Sequence, residues 1–357
     1  MKNELNLAAV VNNFGEFFDG VGAYGAVQAE NFPEWIHVSA YSATCKNDVA
    51  SWKRFTCLGM TCEIMRVLKD LKKKRYDVVL TEYPFVEWNP LIVLAWWALS
   101  RKARKTGCKM VISLHEYDRV NGIRKTVIRM LSKTADMLFV SNEEMLQSIS
   151  IFHSCAAIRS IPTNIYDQSV MEETIERDYN AYVYFGLINK AKAFDEMLEG
   201  WDRFNSDLTK KLYVISSSKI STPESQHKNV QYIQHAPDED IIRIMRKCAY
   251  CVVPVRPYVD MKNTTFKTGC IAGCISVGCF SEEYKKLPFV IPMREYDVDD
   301  FLKAFERSAG MTVEETRKMS EDAVAFGKQY MPGAVANVVA AELGKLVYGG
   351  ISDGHRN

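Results

Sequence analysis

The chain has 357 residues, and 45 Lys and Arg stand against 44 Asp and Glu, for a formal net charge of +1. That length is more than one core comfortably serves and points to two domains of roughly 150 residues each. The balanced charge excludes an overall field that would recruit nucleic acid, and 47% hydrophobic with 25% charged residues is the composition of a soluble globular chain.

The first apolar run, Leu7 to Val11, predicts a strand. It leads to NNFGEFFDGVGAYGAVQAENF, in which Gly20, Gly22 and Gly25 spell G-x-G-x-x-G. A dinucleotide fingerprint needs its first glycine directly after the strand and an acid at the end of the second strand. Here Gly20 lies well beyond Val11, and the second strand, Trp35 to Tyr41, ends without an acid. A nucleotide-binding oxidoreductase is therefore the weaker reading, although glycines opening a helix still let backbone approach a ligand closely.

Thr56 to Lys74 reads as an amphipathic helix with a basic end, and Asp77 to Leu80 as a strand ending in Thr81-Glu82-Tyr83-Pro84. A helix over Pro90 to Arg104 carries Trp96 and Trp97. The strand Lys109 to Leu114 leads to His115-Glu116, and Arg124 to Lys133 is helical. Met137 to Val140 is the next strand, and Ala157 to Ile161 runs to Pro162-Thr163-Asn164. The charged stretch Tyr166 to Tyr179 reads as a linker. The pattern then restarts with strand Ala181 to Phe185, the turn Gly186 to Lys192 and helix Phe194 to Phe204. Strands at Leu212 to Ile215 and Val230 to Ile233, helix Asp238 to Lys247 and a helical tail from Val298 follow. Short strands alternating with helices predict βαβ units and mostly parallel sheets. The expected division is 1–165, a linker over 166–179, a second domain over 180–332, and a helix over 333–357 packing back on the first domain.

The ten cysteines are scattered, several in apolar settings, as reduced thiols in a cytosolic protein would be. Cys248 and Cys251 form a lone C-x-x-C with no second pair, so core packing is expected there. The N-terminus has too short and too charged an apolar run for a signal peptide. The longest apolar run, Pro90 to Leu99, is about ten residues where a spanning helix needs about twenty. A cytoplasmic protein is expected.

The most informative stretch is Pro254 to Val277, PVRPYVDMKNTTFKTGCIAGCISV. A buried strand runs out at Pro254, a polar loop follows, and a helix starts at Asn263-Thr264-Thr265 with Lys267 in its first turn. Hydroxyls, an amide and free backbone N–H groups at a helix start make an anion site, and in an open α/β sheet a phosphate-bearing ligand sits there. A lysine in a first turn opposes the helix dipole, an oddity that a bound anion relieves.

In this order the motifs resemble those of the GT-B glycosyltransferases, most closely the retaining family numbered four, the glycosyl transferases group 1. "ISLHEY" resembles that family's strand ending in His-Asp, "ADMLFVSNEEM" its "AD…VSE", and "IPTNIYD" its "IPNGID". "YVYFGLINKAKAFDEML" resembles its "YVGRL…KG…LL", and "TGCIAGCISVG" its "EAMACGTPVVG". The resemblance covers nearly the whole chain. It implies an α/β GT-B fold, two Rossmann-like α/β/α domains facing each other across a cleft. It also implies a hexosyltransferase that uses a UDP- or GDP-sugar without a required metal. The family's arginine after the Gly of "GRL" is Leu187 here, and the second of its two donor-site glutamates falls on Thr268, so an inactive homologue that binds glycan or a partner protein is the rival reading.

The resemblance and the loop positions together give the candidate residues. Gly22, Gly186, Lys192, Arg256, Asp260, Asn263, Thr264, Thr265 and Lys267 are expected at the donor, with Lys192 and Lys267 on the diphosphate. His115 is expected to orient the sugar, and Glu116 or Glu82 to take a proton from the acceptor or bind its hydroxyls. Gly20 and Tyr83 are expected on the acceptor side. The acceptor would be a glycan or a lipid-linked glycan. Aromatics and cations are interleaved in Trp52 to Phe55, Lys72 to Arg75, and Trp96-Trp97 with Arg101 to Lys105. That mixture suits peripheral contact with an anionic membrane at its cytoplasmic face.

Overall fold

Strand β1 (Leu5–Val11) is buried along almost its whole length, as expected of a strand covered on both faces. The computed structural model describes residues 4–11, 20–42, 59–73, 75–85, 90–117, 120–163, 165–218 and 227–349. Contacts divide the chain into Met1–Ile161 with Pro332–Asn357, and Pro162–Met331.

The first unit alternates β1, α1 (Gly20–Glu30), β2 (Ile36–Ser42), α2 (Gly59–Asp70), β3 (Val78–Tyr83), α3 (Pro90–Thr106), β4 (Lys109–Leu114), α4 (Gly122–Ser132), β5 (Met137–Val140), α5 (Glu143–Ser150) and β6 (Ala156–Ile158). Its sheet is parallel in the order β2-β1-β3-β4-β5-β6. From β2 onward the chain moves in one direction across the sheet. Right-handed crossovers then put α2 to α5 on one face and α1 on the other. The cores agree. Ile64, Trp96, Ile128 and Ile149 share one cluster, whereas Val339 and Leu343 of the chain's last helix share the other with Leu5 and Val111.

The second unit holds α6 (Gln168–Glu172), β7 (Asp178–Phe185), α7 (Phe194–Phe204), β8 (Lys211–Ser216), β9 (Val230–Gln234), α8 (Asp238–Lys247), β10 (Cys248–Val252), α9 (Thr264–Ile271), β11 (Ile275–Gly278), β12 (Val290–Pro292), α10 (Val298–Ala309) and α11 (Val313–Gly327). Its parallel sheet runs β12-β11-β10-β7-β8-β9. Helix α8 starts with Asp238, Glu239 and Asp240 and ends with Arg246 and Lys247, the charge order that its dipole favours. The last helix, α12 (Pro332–Tyr348), belongs to the first unit.

Three expectations need correction, and one strand went unread. The stretch 166–179 is not a free linker: Asp167 caps α6, Val170 is buried, and β7 already begins at Asp178, so its charges are the wet side of packed structure. β3 runs on to Tyr83, which places Glu82 and Tyr83 inside a strand instead of beyond it. β12 carries no sequence signal, being three residues at a sheet edge that end in Pro292. Trp96 is fully buried, its indole N–H donating to Thr134 Oγ1 at 2.8 Å, and only Trp97 of the pair faces out. Trp52 to Phe55 and Lys74 lie outside the described residues. No described helix is long and apolar enough to cross a membrane.

Of the glycines in the G-x-G-x-x-G run, Gly25 has a packing reason. A Cβ there would stand 2.6 Å from Val11 Cγ1 and 3.1 Å from Glu82 Cγ, so α1 lies on β1 and β3 too closely for any side chain. Gly25→Ala is expected to lower stability by about 1–3 kcal/mol, seen as a lower urea midpoint with an unchanged slope. An unmoved midpoint would show that α1 does not sit this tightly.

Candidate functional site

In the second sheet β7 and β10 are neighbours, but the chain leaves them in opposite directions, toward β8 and toward β11. Ligands of open α/β sheets sit outside the carboxyl ends of strands at such a reversal. Gly186 is the first residue past β7. Its φ of +139° is one that L side chains rarely adopt, so glycine is required. A Cβ on it would lie 3.6 Å from Thr265 Oγ1, which sets this turn against the start of α9. The loops after β7 and β10 are zipped together. Lys192 bridges Val255, Ala193 N–H donates to Pro254 O at 2.9 Å, and Arg256 N–H donates to Ala191 O at 2.9 Å.

The helix start is capped as the sequence predicts, with Asn263 Oδ1 accepting from Phe266 N–H at 2.7 Å. Asp260 Oδ1 accepts from Lys262 N–H at 2.9 Å and closes the preceding turn. The N–H groups of Thr264 and Thr265 have no acceptor among the described residues. Lys192 is half-buried, and its ammonium has no carboxylate or hydrogen-bond partner among the described residues. Burial lowers its pKa, an effect that a bound anion would reverse.

Two expected donor residues are not placed for that task. From Phe266 onward α9 is buried all round, Lys267 included. Its ammonium lies 4.5 Å from the centroid of the Tyr330 ring. Burial pushes its pKa down to about 7, against the pull of Asp260. Arg256 donates to Glu196 at 2.7 Å and to the Tyr296 carbonyl at 3.4 Å, so α7 already neutralises it. Leu187, where the resembling family has arginine, is half exposed.

The first unit carries a separate cluster at the carboxyl edge of its sheet. Glu82, near the end of β3, is buried with both oxygens held: His115 Nε2 lies 2.8 Å from Oε2, and Arg159 donates to Oε1 at 3.0 Å. Burial would raise the Glu82 pKa. The Arg159 guanidinium and hydrogen bonds from His115 and Ser113 outweigh it and hold the carboxyl below its usual value. An ionised carboxylate only accepts, so His115 Nε2 carries the proton in this contact. The His115 ring meets Tyr24 edge-on at 4.9 Å, and the Arg159 guanidinium lies 4.4 Å from the Tyr24 centroid. Glu82 is thus a fixed charge that positions His115, and the expectation that it takes a substrate proton or binds acceptor hydroxyls is corrected. Glu116 is half-buried and pairs with Arg124 at 3.2 Å. Tyr83 is buried, its hydroxyl included, and burial pushes its pKa up to about 12, so it is not placed to meet an acceptor. Gly20 opens α1 and Gly22 is buried within it.

Sequence reasoning missed Arg159 and Tyr24. Arg159 had a signal, as a lone cation inside the apolar run Ala156 to Ile161. Tyr24 had none, since an aromatic in a helix is usually core. A cavity of about 900 Å³ opens at the other end of β7, between Asp178, Lys210, Lys247 and Tyr250. It lies at the amino edge of the sheet, away from Gly186 and α9, and carries both charge signs.

Comparison with family models and with curated protein sequences gives no match. Solved structures do match along nearly the whole chain. One is an alpha,alpha-trehalose-phosphate synthase (UDP-forming) from Burkholderia vietnamiensis, at 11% identity and TM-score 0.62 over 97% of this chain and 98% of that one. An alpha-glucosyltransferase in complex with UDP-glucose and DNA containing an abasic site matches at 12% identity and TM-score 0.65, over 95% and 99%. A glycosyltransferase from Rickettsia africae ESF-5 matches at 9% identity and TM-score 0.65, over 97% and 99%. The two six-stranded parallel sheets with flanking helices are those of the GT-B fold.

Two outcomes follow from the buried charges. Between pH 7 and pH 10.5 the unfolded chain holds a proton on Lys267 that the native state has released, so stability rises with pH there. The rise is at most about 1.4 kcal/mol per pH unit, and Lys267→Met is expected to flatten it in urea titrations; equal slopes in the two proteins would contradict this. Arg159→Met leaves Glu82 buried without its cation and is expected to cost about 3–5 kcal/mol. Arg159→Met combined with Glu82→Leu should recover most of that loss, and a loss from Arg159→Met under about 0.5 kcal/mol would show that the pair is not buried.

Proposed function

We propose that the chain is a glycosyltransferase that moves a hexose from a UDP- or GDP-sugar to a hydroxyl of a glycan or lipid-linked glycan, with retention, in the synthesis of cell-surface polysaccharide or glycoconjugate. One observation carries this reading: the Gly186 turn and the N–H groups of Thr264 and Thr265, which have no acceptor among the described residues, lie at the strand reversal of the second unit, and Lys192 sits on the loop that leaves β7. They supply what a nucleotide diphosphate needs, a close backbone approach, N–H donors at a helix start, and a cation. UDP is favoured over GDP because two of the matching structures are described with UDP or as UDP-forming. The free thiols among the described residues support a reducing, cytoplasmic setting.

Transfer breaks the bond between the anomeric carbon and the phosphate oxygen and forms one to the acceptor oxygen. Negative charge grows on the departing diphosphate, and Lys192 with the α9 N–H groups stabilises it as it develops. The acceptor hydroxyl must lose a proton. Glu82 is ionised but held on both oxygens, and Glu116 is tied to Arg124. The departing phosphate oxygen is then the base that fits best, which also suits retention. His115, fixed by Glu82, orients the sugar.

Leu187 and the neutralised Arg256 favour a second reading, a catalytically silent chain that binds glycan or a partner protein. Nucleotide screening by thermal shift and assay of UDP release separate the two. Wild type is expected to be stabilised by UDP or GDP, by about 2.7 kcal/mol at a hundredfold excess over Kd, and Lys192→Ala should lose that shift. Release of UDP from UDP-glucose supports the transferase, and a shift without release supports the silent binder. No shift with any nucleoside diphosphate would refute the transferase.

A further inference from the structure

The outer side of α3 is apolar where it should be wet. Leu91, Leu94 and Trp97 are 51%, 60% and 51% exposed, spaced three residues apart, so they drift across one face of the helix. Arg101, four residues on, stands 4.7 Å from the Trp97 ring centroid. The apolar stripe therefore runs straight into cations. On α4 Ile123 and Met130 are also exposed. The two helices adjoin, since Trp96 donates to Thr134 and Arg104 to the Lys133 carbonyl. Scattered exposed apolar residues are common and mean little, but this set has a charge pattern. Neither α3 nor α4 contains a single acid, while both carry exposed cations. The two acids of neighbouring α2 are spoken for: Glu63 is buried and bonded by Arg66, and Asp70 accepts from Tyr41. Glu116 pairs with Arg124 at the start of α4.

We infer that the outer face of α3, with α4 and the basic end of α2 beside it, docks on an anionic lipid bilayer. Trp97 sits at the headgroup level with Leu91 and Leu94 beside it in the acyl boundary, and Arg101, Arg104 and Lys105 meet lipid phosphates. A duplex nucleic acid would use the cations but leave three large apolar side chains against a polar backbone, so the bilayer is the better match. Docking stands whether or not the chain transfers sugar. Only its meaning, delivery of a lipid-linked acceptor to the enzyme, rests on the transferase reading.

The test is sedimentation of the full chain with phosphatidylcholine vesicles, with and without phosphatidylglycerol, at about 0.1 M salt where screening is moderate. Wild type should partition at least about tenfold more onto the anionic vesicles. The double variant Leu94→Glu with Trp97→Glu should lose at least about tenfold of that binding, with an unchanged thermal melt showing that it folds. Val338→Glu, on the exposed side of α12, should bind as wild type does. Absence of binding to anionic vesicles, equal binding to neutral ones, or full binding by the double variant overturns the proposal. So does tight capture of a duplex oligonucleotide that the double variant retains while vesicles go unbound. Because no sugar donor is present, failure here is separate from failure of the transfer reading.

Discussion

The structure of the second unit turns on the reversal between β7 and β10. Two adjacent parallel strands send their chains to opposite sides, and the loops that leave them pair with each other beside the opening this makes. What fills that gap is backbone: a turn that only glycine can make at Gly186, and the first turn of α9 with two N–H groups that the helix itself cannot use. Backbone donors aimed at an opening are a liability unless something accepts from them. Half-buried Lys192, on the loop after β7 and without a carboxylate partner among the described residues, makes the same demand for negative charge. The proposed donor site rests on these two features together with the strand reversal.

The first unit solves the opposite problem, how to keep charge buried without a ligand. Glu82 is ionised inside the sheet because Arg159 neutralises it and His115 and Ser113 bond to it. Such a pair contributes little net stability, and removal of one partner is costly. What it provides is a fixed orientation for His115, which Tyr24 braces from the side. In the proposed transfer His115 is the group that meets the sugar, and the acid behind it is scaffold.

Much of this was legible in the sequence, because βαβ repetition and strand hydrophobicity are local signals. The cap at Asn263, the turn at Gly186 and the strand end before His115 were all read from residue type and spacing. Errors came where long-range packing decides. Lys267 looked like a first-turn phosphate ligand, but α9 is buried all round below Thr265 and takes the lysine inward. Arg256 looked free, but Glu196, which claims it, lies on a helix that precedes it by three strands in the chain order. Arg159 is joined to Glu82 across 77 positions, a distance that no spacing rule spans. Trp96 and Trp97 are adjacent letters with opposite fates, separated only by the turn of the helix.

The central claim is that the start of α9 grips a diphosphate, and backbone amide spectra recorded while UDP is added test it most directly. The account predicts that the Thr264 and Thr265 amides move first and saturate together with the resonances of Lys192. If those amides stay still and the changes gather instead around Arg177, Lys210 and Lys247, at the amino edge of the same sheet, the nucleotide binds elsewhere and the account is wrong.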